Sequence, residues 1–337
     1  MSLFLGIEIG GTKLQLAIGA GDTATVRAFW RAEVNALAGA EPIRGQIVEG
    51  VERLLSQTGL TRQDISGVGV GFGGPVNTAD GRTILSNQVA GWQDFPLVQW
   101  IEQTLGWPAA LHNDADSAAL AEARFGAGQG LDPVMYVTVG SGIGGGLVSR
   151  GSIFRGSGAG AMEIGHLRPA NPKLRAESSG CSVEEIASGF GLESRARQAI
   201  AELEGAGFSP AAENLNRQRY GTLLKLAEGD RSRITARLIA RAAAQGDSLS
   251  QDLLADATQT FGWALAQAII LINPACIVIG GGVSLMGEDQ FFHPIRCACR
   301  EAVFAPFADQ AQIVPARLGE EVVVHGALAV ARDALAR

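Results

Sequence analysis

The chain is 337 residues long, 47% apolar and 18% charged, with 45 glycines and a net charge of −7. That length exceeds what one hydrophobic core fills, so two lobes are expected, and the apolar and glycine content fits an α/β protein with many tight turns. Lys and Arg are scattered and build no basic stripe, which argues against nucleic acid or an anionic membrane as the main partner, though not against small anions bound by local amides.

The first strand is predicted at Leu3 to Ile9, with no signal peptide ahead of it, and a second at Leu14 to Gly19. Between them lies a glycine turn, Gly10-Gly11-Thr12-Lys13. A third strand follows at Thr25 to Glu33, then a helix near Glu41 to Gln57, a strand at Val68 to Phe72 and a helix near Leu97 to Leu105. Asn113-Asp114-Ala115-Asp116-Ser117 then opens an alanine-rich helix ending near Gly126. The pattern of strand, glycine turn, strand restarts at Val134 to Ser149, around Gly140 to Gly146, and the chain from Glu184 to Ile272 reads as helix-rich. Gly205 to Arg231 is the least regular part. Val278-Ile279-Gly280-Gly281-Gly282 is another apolar strand running into glycines. Glu320 to Leu335 has helical spacing and is expected to pack back on the first lobe.

The longest apolar stretch, Ala264 to Ile272, is too short to span a bilayer, so cytoplasmic residence is expected. Four cysteines, Cys181, Cys276, Cys297 and Cys299, make no disulfide framework, and Cys297 and Cys299 should face different sides of one helix.

Glycine lets backbone approach a ligand and point amide N–H groups at it, so two such turns about a domain apart suggest a duplicated phosphate clamp. The first is not a Walker A loop, because Lys13 is followed by Leu14 and a period of two rather than by a helix. The dinucleotide fingerprint fails on the same ground. Any one of these turns alone would read as an ordinary hairpin.

In chain order, EIGGTK at 8–13, GFGGPVN at 71–77, Asn113-Asp114, the Gly140 to Gly146 turn, ExGH from Glu163 to His166 and Gly280-Gly281-Gly282 resemble the ROK family of sugar kinases, within the actin and hexokinase superfamily. The resemblance runs from Leu3 to about Ala334. It implies an α/β, two-lobed actin-like (ribonuclease H-like) ATPase fold with a cleft between the lobes, divided as 1–115 plus 320–337 and 116–319. It implies an ATP-dependent kinase acting on the 6-hydroxyl of glucose or a close relative, with a sugar and a nucleotide as small-molecule partners, Mg2+, and a homodimer or homotetramer. Fructokinase, N-acetylhexosamine kinase and a non-catalytic sugar-binding regulator are the alternatives. A repressor of the family would need a helix-turn-helix ahead of the first strand, and none is expected there.

Phosphoryl transfer needs positioning, charge neutralisation and a carboxylate that takes the hydroxyl proton. On residues alone, Asp114 reads as a helix N-cap. The resemblance makes it the catalytic base and a sugar contact beside Asn113, and adds Asn87, Glu163, His166 and Glu184 as sugar contacts, with Glu185 the rival of Glu184. Nucleotide binding falls to Gly10, Gly11, Thr12, Lys13, Thr138, Gly140, Ser141, Gly142, Gly281 and Gly282. Trp92 fits either a sugar-stacking ring or a core filler.

Two departures stand out. The CxCGxxGC run that binds zinc in most relatives is replaced here by Leu174 to Cys181, leaving only His166 and Cys181 of four ligands, so no zinc is expected. Glu8 stands where many relatives carry Asp, and either carboxylate could orient magnesium-bound water or a phosphate-facing side chain.

Overall fold

The computed structural model describes residues 2–157, 160–169, 180–205 and 219–335. Two five-stranded sheets carry the architecture, an α/β arrangement. The first sheet joins β1 (Leu3–Ile9), β2 (Lys13–Gly19), β3 (Val26–Glu33), β4 (Ile65–Phe72) and β7 (Ala109–Asn113) in the order β3-β2-β1-β4-β7. β1, β2 and β3 form an antiparallel meander, whereas β1, β4 and β7 run parallel. A short ladder, β5 (Val76–Asn77) with β6 (Arg82–Thr83), stands apart. The second sheet has the order β10-β9-β8-β11-β12, built from β8 (Val134–Val139), β9 (Ile143–Ser149), β10 (Ser152–Phe154), β11 (Cys276–Gly280) and β12 (Gln312–Pro315).

The chain divides into two compact units, one of Met1–Tyr136, Gly145–Met162 and Ala316–Arg337, the other of Val137–Gly144 and Glu163–Pro315. In the first unit, α1 (Ala40–Thr58) and α2 (Leu97–Leu105) cover one face of the first sheet. Their apolar stripes, Ile43, Ile47, Val51 and Leu54 on α1 and Leu97 and Ile101 on α2, meet Leu5, Ile7 and Ile9 of β1 and Val68, Val70 and Phe72 of β4. Side chains alternate along a strand, so the even positions of β1 face the other way. There Phe4 packs with Val324 and Leu328 of the last helix, α9 (Val322–Leu335).

Glycines open that second face to close approach. A Cβ on Gly6 would stand 2.7 Å from the Val324 carbonyl, one on Gly71 2.5 Å from Val323 Cγ1, and one on Gly69 would overlap the Ala327 carbonyl. Bare backbone on β1 and β4 therefore lets α9 lie almost on the sheet. The expected return of the C-terminal helix to the first lobe is what the structure shows. Trp92 is 1% exposed and edge-on to both Phe72 and Phe95, so it fills the core and offers no face to a ligand.

The second unit is helical: α4 (Val183–Ala187), α5 (Gly189–Gly205), α6 (Ala236–Ala244), α7 (Ser248–Ile272) and α8 (His293–Ala302). Gly262 lets α7 approach α8, since a Cβ there would lie 2.5 Å from that of Ala298. On α8, Cys297 is exposed and Cys299 buried, the two faces their spacing predicts. The stretch predicted as least regular falls partly at 206–218, outside the described residues. No described helix is long and apolar enough to cross a membrane.

Candidate active site

In the first unit, three parallel strands end side by side. β1 runs out into Gly10, β4 into Gly73 and β7 into Asn113-Asp114. A Cβ built on Gly73 would lie 3.5 Å from Asp114 Oδ2, 3.5 Å from the Gly10 Cα and 3.2 Å from the Ile9 carbonyl. The Gly73 amide donates to that carbonyl at 2.8 Å, and the Gly10 amide donates to the Lys13 carbonyl at 3.0 Å. The glycine turn, the GFGG run and the acid thus converge at the carboxyl end of a parallel sheet, where open α/β sheets take their ligands.

Asn113, and not Asp114, caps the helix α3 (Asp114–Phe125). Its Oδ1 accepts the Ala115 amide at 2.8 Å and its Nδ2 donates to the Gly74 carbonyl at 2.9 Å. Asp114 is the first helical residue, half-buried, with Oδ1 accepting the Ala115 amide at 2.8 Å. The N-cap reading of Asp114 is therefore shifted by one residue. The Asp114 carboxylate sits in the first turn of α3, the end of a helix dipole that favours negative charge.

Beside it, Glu8 is 5% exposed on the α9 face of β1. Lys13 Nζ lies 3.2 Å from Glu8 Oε1 and donates to the Glu320 carbonyl at 2.7 Å. Gln15, fully buried, satisfies both neighbours when its carboxamide is turned to point nitrogen at them, donating to Glu8 Oε2 at 2.7 Å and to the Glu320 carbonyl at 3.1 Å. Arg31 pairs with the Glu320 carboxylate at 2.6 Å. Burial raises the Glu8 carboxyl from the ordinary 4.5 to about 7, against the pull of Lys13 and with a further push from the charge on Asp114. A carboxyl whose pKa is raised in the folded state supplies stability that is whole below pH 4.5 and is lost as pH rises through about 7. Glu8→Gln removes that loss: relative to the variant, the wild type should weaken by on the order of 3 kcal/mol between pH 4.5 and pH 8, measured by urea unfolding. Equal pH dependence in both proteins would contradict the assignment.

The other residues of the first turn are arranged around it. Thr12 is exposed, and its carbonyl accepts the Val34 amide at 3.0 Å. A Cβ on Gly11 would overlap the Gln88 carboxamide, so Gln88 lies over the turn, next to the exposed Asn87.

In the second unit, the β8–β9 turn is held by the α4–α5 junction. The Gly140 amide donates to the Gly142 carbonyl at 2.9 Å, the Gly189 amide to the Gly140 carbonyl at 2.7 Å and the Phe190 amide to the Ser141 carbonyl at 3.3 Å. Glu184 Oε2 accepts the Ile143 amide at 2.7 Å and would sit 2.5 Å from a Cβ on Gly142. Its rival Glu185 is instead engaged at the helix start, where Oε2 accepts the Ser182 amide at 2.7 Å and the Ser182 hydroxyl accepts the Glu185 amide. Thr138 and Ser141 are half-buried. Gly281, at φ +88°, lies against β8, where a Cβ would stand 2.5 Å from the Val139 carbonyl, whereas Gly282 faces open space. Glu163 and His166 are exposed at the two ends of one short turn, the His166 amide donating to the Glu163 carbonyl at 3.1 Å. Leu174 to Ser179 lie outside the described residues. Among the described residues no three His, Cys, Asp or Glu side chains are grouped to hold a metal ion.

Sequence reasoning did not pick out Gly73, Gln15, Gln88 or Glu320 for the site. The GFGG run signalled the first, but nothing local signals Gln15 or Glu320, which meet only because α9 returns to β1.

The ROK family model matches residues 4–334. The chain belongs to the ROK family. Among its relatives in the family, a glucokinase from Streptomyces coelicolor is 30% identical over 336 residues, covering 99% of this chain and 98% of that protein. Another, from Halalkalibacterium halodurans, is 29% identical over 328 residues, 96% and 93% of the two chains. Among solved structures, a ROK family glucokinase from Streptomyces griseus in complex with glucose and AMPPNP matches with a TM-score of 0.78 at 31% identity, covering 98% of this chain and all of that one. The ROK fold is the actin-like α/β fold expected from the motifs.

Proposed function

We propose that this ROK family sugar kinase transfers the γ-phosphate of ATP to the 6-hydroxyl of glucose or a closely related hexose, with Asp114 as the base. The observation that carries the reading is Asp114 itself. It is half-buried, follows the N-cap Asn113 with its Oδ1 on the Ala115 amide, and has Oδ2 3.5 Å from the point where a Gly73 side chain would begin. An acid so placed, at strand ends otherwise floored by glycine, has room beside it for a ligand hydroxyl.

Asp114 accepts the proton of the attacking hydroxyl as the oxygen approaches phosphorus. Its task is placement, and the first turn of α3 holds the carboxylate at the strand ends. Asn113, fixed by Gly74 and the α3 amides, keeps Asp114 in register and presents an edge to the sugar. Asn87, Glu163, His166 and Glu184 supply further sugar contacts, and buried hydroxyls require such partners. Bare backbone at Gly10 and Gly11 with Thr12 and Lys13, and at Thr138, Gly140, Ser141 and Gly142, holds phosphate oxygens, while Gly281 and Gly282 receive the nucleoside. A Cβ on Gly140 or Gly282 would meet no atom within 4 Å, so backbone is open to a ligand there. Mg2+, which binds through few carboxylates and mostly phosphate oxygens and water, would arrive with the nucleotide and neutralise phosphate charge. A cytoplasmic homodimer or homotetramer completes the proposal.

A coupled assay over glucose, fructose, mannose, N-acetylglucosamine and N-acetylmannosamine with MgATP tests it. Glucose or a close epimer should give the highest kcat/KM, with glucose 6-phosphate as the product of glucose. Turnover confined to an N-acetylated sugar, or absent with all five, would overturn the substrate assignment.

A further inference from the structure

Away from the strand ends, the first unit holds two adjoining cavities. One, of about 530 Å³, is walled by Leu120 of α3, Ser152 and Ile153 of β10, and Val330 and Asp333 of α9. The other, of about 330 Å³, is walled by Thr78 to Gly81, Val98 and the start of β7. His112 and Arg155 line both. Arg155 reaches across, Nη1 donating to Thr78 Oγ1 and Nη2 to His112 Nε2, each at 2.8 Å, and so stands where the two cavities meet.

The polar groups at that junction are unusual. Arg155 has no carboxylate partner among the described residues; its two acceptors are a hydroxyl and an imidazole nitrogen. His112 is 7% exposed, and burial with the neighbouring guanidinium drives it down to about 3, opposed only by the more distant Asp333. The ring is therefore neutral, and because Nε2 accepts from Arg155 its proton sits on Nδ1. That Nδ1 is buried and has no hydrogen-bond partner. Both acids nearby are already engaged, Asp333 by two bonds from Arg124 at 3.0 and 2.5 Å and Asp80 by Asn77 at 2.6 Å. Arg155 is exposed, so its cationic fork, resting on neutral acceptors beside a buried N–H, is open to an incoming anion.

We propose that this paired cavity is a binding site for a small organic oxyanion, a carboxylate or a phosphate monoester. Its acidic group takes the Arg155 guanidinium, and its body lies in the chamber formed by Leu120, Ile153 and Val330. Guanidinium matches either oxyanion with two parallel hydrogen bonds, and apolar walls favour a ligand with carbon behind the charge over a bare ion. None of the residues assigned to phosphoryl transfer takes part, so the site stands or falls independently of the kinase reading.

The chain has four histidines, so the His112 ring C–H resonance can be followed by NMR after assignment with His112→Gln. Glycerol 3-phosphate, benzoate and inorganic phosphate are titrated into the ligand-free protein, then again with glucose and AMPPNP present. At least one of the two organic probes should shift the His112 resonance saturably with a Kd below about 1 mM, more tightly than inorganic phosphate. Which of them does so tells phosphate monoester from carboxylate. Arg155→Met should weaken that binding at least tenfold while leaving kcat with glucose unchanged. The proposal is overturned if no organic probe moves the resonance, if inorganic phosphate binds as well as both, or if Arg155→Met binds like the wild type.

Discussion

Asp114→Asn is expected to lower kcat for sugar phosphorylation by about 10²- to 10⁴-fold, the usual range for a positioned general base. The substitution keeps the shape of the side chain and removes only its capacity to take a proton. Because Asn113 supplies the N-cap, α3 should survive intact, with stability changed by less than about 1 kcal/mol. Sugar affinity measured by calorimetry should persist, since an amide still offers the 6-hydroxyl an acceptor. A base used only in the transition state gives this pattern of lost kcat with retained binding. Near-normal turnover would remove Asp114 from the chemistry, and loss of both binding and stability would make it a structural residue.

The largest stability effect is expected at Gly326. A Cβ there would overlap the Ser117 carbonyl, the point at which α9 crosses α3. Neither partner is a flexible side chain, so Gly326→Val can be accommodated only by moving one helix off the other. Overpacking ordinarily costs about 1–3 kcal/mol, and a clash of backbone with backbone belongs at or above the top of that range. The displaced helix is the one whose first turn holds Asp114, and Ser117 Oγ donates to the Asn113 carbonyl at 2.9 Å. Gly326→Val should therefore lose at least about 3 kcal/mol in urea unfolding and also lose activity in the fraction that remains folded. Wild-type stability in this variant would mean that α9 does not lie where the glycines of β1 and β4 allow it.

Much of this was readable in the residues because the signals are local. An apolar strand running into glycine and out into a second strand marks β1–β2 and β8–β9 directly, and the period of two after Lys13 marks β2 as a strand. The return of the C-terminal helix was also legible, as a helical stripe with no other partner. What could not be read depends on residues far apart in the chain. The buried Glu8 and Gln15 meet the half-buried Lys13 and the backbone carbonyl of the exposed Glu320, yet nothing in the sequence near Glu320 announces it. The cap at Asn113 rather than Asp114 turns on which of two adjacent residues stays extended, a difference of one residue that composition does not resolve. Trp92 was open between ligand stacking and core, and only the edge-on packing against Phe72 and Phe95 decided it. The choice between Glu184 and Glu185 likewise needed the helix start, because Ser182 occupies Glu185 in a capping box and leaves Glu184 to reach the β8–β9 turn.

A crystal structure of this chain with glucose and AMPPNP tests the central claim most directly. An Asp114 carboxylate oxygen is expected within about 2.6–3.2 Å of the sugar's 6-hydroxyl, with that hydroxyl turned toward the γ-phosphate. A sugar whose 6-hydroxyl is held by a different carboxylate, with Asp114 out of hydrogen-bonding reach, would contradict it.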